Sequence, residues 1–158
     1  MKKAAWKIYA FWIILTEAVG ALAALLTRNG TEFYKTAVEK PPLSPLAIVF
    51  PIVWAILYLL MGVGEARVAL SPESTCRSNA LKLFLAQLAV NFFWTIIFFN
   101  LRAYAFAFVW IILLGALVYA TITAFRKCDQ LAGNLQIPYF VWILFAAYLN
   151  AGVLLLNR

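Results

Sequence analysis

Apolar residues run along this chain in five blocks, and polar residues gather in the gaps between them. A membrane-crossing helix needs about 20 predominantly apolar residues. Blocks of that kind fall at residues 5–27, 46–70, 80–101, 104–125 and 135–157. The pattern predicts an all-α integral membrane protein, a bundle of five transmembrane helices that forms one domain over residues 1–158. Three of the gaps (71–79, 102–103 and 126–134) are short. The first, 28–44, is the longest and is predicted as a loop lying over the bundle as a lid. No internal repeat is visible, against the inverted-repeat plan of many transporters.

Within the blocks, polar and aromatic positions show which faces turn inward. In the third, Gln87, Asn91, Trp94 and Phe98 recur at helical spacing and share one face. An amide facing lipid would leave its donors unpaired, so this face should point into the bundle. The second block carries Trp54, Tyr58, Met61 and Glu65 in the same way, and the fifth carries Pro138, Trp142, Ala146 and Asn150. Three such stripes converging would line a cavity suited to a flat aromatic ligand, with rings to stack and amides to orient it. Glu17 is the deeper intramembrane acid and a candidate proton relay. Glu65, two residues from Arg67, is expected at the interface. Gly20 and Ala24, and Ala116, Ala120 and Ala124, follow small-xxx-small spacing, which serves packing inside a bundle or a dimer seam equally well.

Composition sharpens the picture. The chain is 66% hydrophobic and 12% charged, against about 45–50% and about 25% in soluble domains. Its net charge of +7 comes from cations set singly or in pairs beside apolar runs. That placement suits anchoring in a lipid bilayer and not nucleic-acid binding. Eight of the thirteen Lys and Arg, Lys2 and Lys3 among them, fall on the side of the N-terminus, which predicts that end inside. Lys2 and Lys3 also resemble a signal-peptide n-region, but Glu17 interrupts the apolar run and the first span is expected to be retained. There is no histidine, so imidazole bases and most transition-metal sites are excluded. Cys76 and Cys128 fall in predicted loops on one, reducing side and are expected to be unpaired thiols. No metal site, obligatory cofactor or conventional catalytic residue is expected.

The prolines at 41, 42 and 45 predict a stiff, extended exit from the first loop. Ser44 is expected to cap the second span, with Pro45 at its first helical position. Pro51 would bend that helix or restart it just before Trp54.

The blocks "KPPLSP", "FPIVWAILYLLMG", "NFFWTIIFF" and "PYFVWILFAAYLN", in this order over nearly the whole chain, resemble the TspO/translocator protein family. Its members are also called tryptophan-rich sensory proteins and peripheral benzodiazepine receptors. The resemblance implies a five-helix bundle, often a homodimer, with a ligand pocket beneath the first loop. It implies binding of porphyrins such as protoporphyrin IX and of isoquinoline or benzodiazepine drugs, and in some bacterial members a light- and oxygen-dependent breakdown of protoporphyrin. By the same resemblance the ligand-binding positions are Tyr34, Trp54, Tyr58, Asn91, Trp94, Trp142, Phe145, Ala146 and Asn150, and the candidate photochemical residues are Trp94 and Trp142. Lys35 and Lys40 are candidate partners for porphyrin propionates. The C-terminal sterol pattern is incomplete, because Tyr148 has no following cation before Arg158. A bacterial-type, porphyrin-facing member in a cell membrane is therefore expected. A porphyrin sensor is the leading function, with photo-oxidative porphyrin degradation or transport, for which Glu17 and Pro138 are the candidate parts, as alternatives.

Overall fold

A computed structural model describes residues 2–158, with side chains from Ala4 onward. The Lys2 and Lys3 side chains counted in the charge bias lie outside the described residues. In chain order the elements are α1 (Lys2–Leu26), α2 (Arg28–Ala37), α3 (Val49–Ala69), α4 (Thr75–Thr95), α5 (Tyr104–Cys128), α6 (Gln130–Asn134) and α7 (Ile137–Leu156). Between α4 and α5 a π-helical turn, Ile96–Asn100, continues α4. Five stretches are long and apolar enough to cross a membrane: Ala4–Leu26, Val49–Ala69, Thr75–Asn100, Tyr104–Cys128 and Gln130–Leu156. Among the described residues no strand occurs. This is an all-α membrane bundle, as expected of a chain that must satisfy its backbone hydrogen bonds within each span.

Packing is centred on α5, which lies against α4 on one side and α7 on the other, while α1 lies mainly on α3. Only 11% of the most apolar window of α1 is buried. Trp6, Phe11, Ile14, Leu22 and Leu25 accordingly face outward, where lipid would meet them. The contact that holds α1 is specific: Thr16 Oγ1 donates to the carbonyl of Tyr58 at 2.8 Å. One turn on, the Tyr58 ring lies so close over Gly20 that any side chain there would meet it. Gly20 thus serves packing within the bundle, whereas Ala24 and Ala116 are exposed on the outer surface.

Several boundaries depart from expectation, each for a local reason. The first connection is not simply a loop, since Arg28–Ala37 forms helix α2. Ser44 does not cap α3; its hydroxyl instead donates to Pro41 O at 2.7 Å, closing a turn in which Leu43 takes a positive φ of 68°. The second span, α3, starts only after that turn, at Val49, so Pro51 lies in its first turn. No intrahelical N–H is missed there, and neither a bend nor a restart is needed. At the other end of the bundle, Ser74 accepts from the Arg77 N–H at 3.1 Å and starts α4 at Thr75, earlier than expected. Helix α5 runs on to Cys128, and Asp129 then starts α6. The cysteines are therefore helical and not in loops; they are free thiols, as expected, but adjacent, with their Sγ atoms 2.8 Å apart.

Glu65 is the main side-chain correction. Instead of sitting at the interface it is 0% exposed, and among the described residues neither carboxyl oxygen has a hydrogen-bond partner. Because α3 continues to Ala69, Glu65 lies a full turn inside the helix end. Arg67, two residues on and on another face, reaches Asp129 instead.

Candidate functional site

The chamber is built from the lid-side ends of the long helices. Helix α3 brings Phe50 and Trp54, α4 and its π-helical extension bring Trp94, Thr95, Phe98 and Phe99, and α7 brings Trp142, Ala146 and Leu149. Tyr34 of α2 closes the set from above. Trp94 stacks on Phe98, with centroids 5.1 Å apart and planes 24° apart. Tyr34 meets Phe98 at 5.6 Å and Phe99 at 5.5 Å. Phe50 meets Trp142 edge-on at 6.0 Å.

The π-helical turn explains why two consecutive phenylalanines reach the same space. Leu101 N–H donates to Ile96 O, five residues back, at 3.0 Å. This wider turn rotates Phe99 toward the chamber that Phe98 already lines. The lid helix can lie close to this turn because Gly30 has no Cβ; one would run into the backbone of Phe99. Asn100 Nδ2 also donates to Leu26 O at 2.9 Å, tying the turn to the end of α1.

Five of the expected ligand positions, Tyr34, Trp54, Trp94, Trp142 and Ala146, line the chamber itself. The other four stand behind or beside its wall. Tyr58 lies 5.5 Å from Trp54, and its hydroxyl accepts from Asn91 Nδ2 at 2.9 Å. Asn150 Oδ1 accepts from the Trp94 indole N–H at 3.3 Å, and Asn150 Nδ2 donates to Tyr104 O at 2.9 Å. Phe145 lies 5.4 Å from Trp142. The inward amides thus set the pitch of the rings. Gln87 does the same deeper in the bundle, accepting from the Tyr139 hydroxyl at 2.9 Å. Glu17 is half-buried on α1 and is not part of the lining.

Of the other lining residues, Phe98 belonged to the expected inward stripe, whereas Phe50, Thr95, Phe99 and Leu149 were neither in a stripe nor among the expected ligand positions. Phe50 had a signal, since it stands four residues before Trp54 on the same helical face. Phe99 had none, because regular α-helical spacing turns it away.

The lid is held by polar contacts at its far end. Asn157, at the end of α7, grips Glu39 twice: its Oδ1 accepts from Glu39 N–H at 3.0 Å and its Nδ2 donates to Glu39 O at 2.9 Å. The Tyr148 hydroxyl donates to Pro42 O at 2.7 Å. Lys40 donates to Lys35 O at 3.0 Å and to Val38 O at 3.2 Å, with its ammonium 5.3 Å from the centre of the Tyr34 ring. Lys40 therefore closes the C-terminal end of α2, while Lys35 pairs loosely with Glu32 at 3.6 Å on the surface.

With the lid in this position the chamber holds about 40 Å³, far below the roughly 300–1,000 Å³ of a site occupied by a small molecule. This is a closed arrangement, its rings packed on one another. A larger hollow of about 300 Å³ lies between α5 and α7, lined by residues such as Ile111, Gly115, Ala116 and Ile143. It is almost wholly apolar and opens on the outer surface, so it lacks the polar groups that orient a specific ligand.

Residues 12–156 match the model of the TspO/MBR family. The chain is 32% identical to protein CrtK of Rhodobacter capsulatus, over 95% of this chain and 92% of that protein. It is 34% identical to the tryptophan-rich protein TspO of Chlorobaculum tepidum, over 94% of each. Similarity extends to the translocator protein of Ovis aries, 35% identical over 77% of this chain and 73% of that one. With five membrane-crossing helices and an aromatic chamber under a lid, this chain belongs to the TspO/MBR family.

Proposed function

We propose that this protein is a membrane receptor of the sensor and translocator type. Its ligand is a flat tetrapyrrole such as protoporphyrin IX, held in the chamber beneath α2. Isoquinoline and benzodiazepine compounds, flat and largely apolar, compete for the same rings. The observation that carries this reading is the convergence of Tyr34, Trp54, Trp94, Phe98 and Trp142, from four elements, on one space. Ring faces of this kind offer a planar macrocycle a stacking surface, and Trp94, held by Asn150, is fixed in orientation before the ligand arrives. Family membership supports the sensor and translocator class, and the closed chamber adds a condition: binding requires α2 to move and the rings to part.

The propionates of such a ligand would point toward the lid. Lys35 is the freer partner there, because the Lys40 ammonium already donates to the carbonyls of Lys35 and Val38. The test is a titration of the purified protein in detergent with protoporphyrin IX, followed by quenching of Trp fluorescence. The Trp94→Phe, Trp142→Phe double variant should bind about 10-fold more weakly or worse, given the usual worth of aromatic contacts. An unchanged affinity in a variant that keeps its thermal midpoint would overturn the assignment.

A further inference from the structure

The only two cysteines in the sequence, 52 residues apart, meet at the end of the bundle remote from the lid. Cys76 is in the first turn of α4 and Cys128 is the last residue of α5. Their Sγ atoms are 2.8 Å apart, closer than two unbonded sulfur atoms ordinarily rest and within about 1 Å of a disulfide bond of about 2.05 Å. Cys76 Sγ also lies 3.9 Å from Ala124 O, so it is seated on the last turn of α5 rather than pointing into solvent. Both residues are half-buried, leaving the pair within reach of a small reagent.

Neighbouring caps hold both thiols in place. Ser74, two residues before Cys76, caps α4 through the Arg77 N–H. Asp129, next after Cys128, accepts from Ala132 N–H at 2.9 Å and holds the Arg67 guanidinium through two bonds of 3.2 and 2.7 Å. Nothing in the chamber or in the lid contacts depends on these sulfurs, so the pair is a separate feature of the fold.

We propose that Cys76 and Cys128 form a redox modification site, a dithiol that a hydroperoxide converts to an internal disulfide joining the start of α4 to the end of α5. One thiol, as its thiolate, attacks the outer oxygen of the hydroperoxide. The O–O bond breaks, the alcohol (or water, from hydrogen peroxide) leaves, and that sulfur becomes a sulfenic acid. The second thiol then attacks the sulfenyl sulfur, the S–S bond forms, and water leaves. Two thiols lose two electrons and two protons, and one peroxide is reduced. A dithiol reductant reverses the change by exchange. The geometry favours the internal link, since the second thiol is already in contact before the first reacts.

The full-length protein, purified with its thiols reduced, would be treated with hydrogen peroxide in detergent micelles, alkylated with N-ethylmaleimide and weighed intact. Before oxidation it should accept two maleimides. Afterwards it should accept none, run as a monomer without reductant and weigh two hydrogens less. Digestion should release the peptides carrying Cys76 and Cys128 as one species that a dithiol separates. Retention of two alkylatable thiols, accumulation of sulfinic acid, or disulfides only between copies would each overturn the proposal. The Cys76→Ser variant should take one maleimide and show no internal link. The wild-type measurement decides the question even if that variant fails to fold.

Discussion

Glu65 places a carboxyl in the interior of α3 where neither oxygen finds a hydrogen bond among the described residues. Gln136 Nε2 and Asn91 Oδ1 are in the same position. A buried polar group left without a partner costs about 1–3 kcal/mol. Glu65→Met keeps an unbranched side chain of similar length and removes that cost. It should raise stability by about 1–3 kcal/mol, seen as a higher thermal midpoint in detergent. A lower midpoint would mean that the carboxyl has a partner in the membrane, such as an ordered water or a cation. Spacing from Arg67 pointed to an interfacial Glu65, but residues two apart on a helix face nearly opposite ways, so the outward Arg67 carries no information about Glu65. The amides were more legible. Gln87, Asn91 and Asn150 had to turn inward because lipid offers them no partner. Their actual partners depend on how each helix is rotated against the next, which no single-helix pattern encodes.

At the scale of elements, the lid is where the chain and its structure differ most. Residues 28–44 looked like a connector because they are polar, yet Gly30, Phe33 and Tyr34 recur at helical spacing and form the face that α2 turns to the bundle. A helix of ten residues is marginal by itself in water. This one is held by the Tyr34 contacts with Phe98 and Phe99 and by the latch at Asn157 and Tyr148. The aromatic contacts would be exchanged for ligand contacts on binding, but the latch has no such compensation. The Asn157→Ala, Tyr148→Phe double variant loses three hydrogen bonds at the lid, each worth about 0.5–1.5 kcal/mol. Release of bound protoporphyrin should then be about 10-fold faster or more in stopped-flow measurements. Association should speed up as well, so that affinity changes less than either rate. Unaltered release would show that α2 does not gate the chamber. The π-helical turn is a different case, since nothing in "FFWTIIFFN" marks where the helical repeat widens. The stripe through Trp94 and Phe98 was legible for that reason, and Phe99 was not.

Across the whole molecule, the chamber occupies one end of the bundle and the polar clamp around Arg67 and Asp129 the other. The long helices run between them: α3, for example, carries Trp54 near the lid and Arg67 at the clamp. The clamp joins α3 to the junction of α5 and α6 and so fixes how the two halves of the chain meet. Partial burial works to raise the pKa of the Asp129 carboxyl, but the Arg67 hydrogen bond, the Ala132 N–H and the guanidinium charge together outweigh it and hold the pKa below its usual value. The sign of the pH effect follows. A carboxyl whose pKa is depressed by folding contributes stability at pH values above its unfolded pKa, about 3.9, and loses it as pH falls through the folded value. The thermal midpoint should therefore be level near neutrality and drop below about pH 4. Two substitutions divide the roles of Asp129. Asp129→Asn keeps a good cap for α6 but removes the charge; it should cost up to about 1 kcal/mol at pH 7, with its deficit vanishing in acid. Asp129→Ala removes the cap too and should cost about 1 kcal/mol more at every pH. If Asp129→Asn matches wild type at pH 7, the ion pair contributes nothing measurable, and the cap alone holds the α5–α6 junction that positions Cys128.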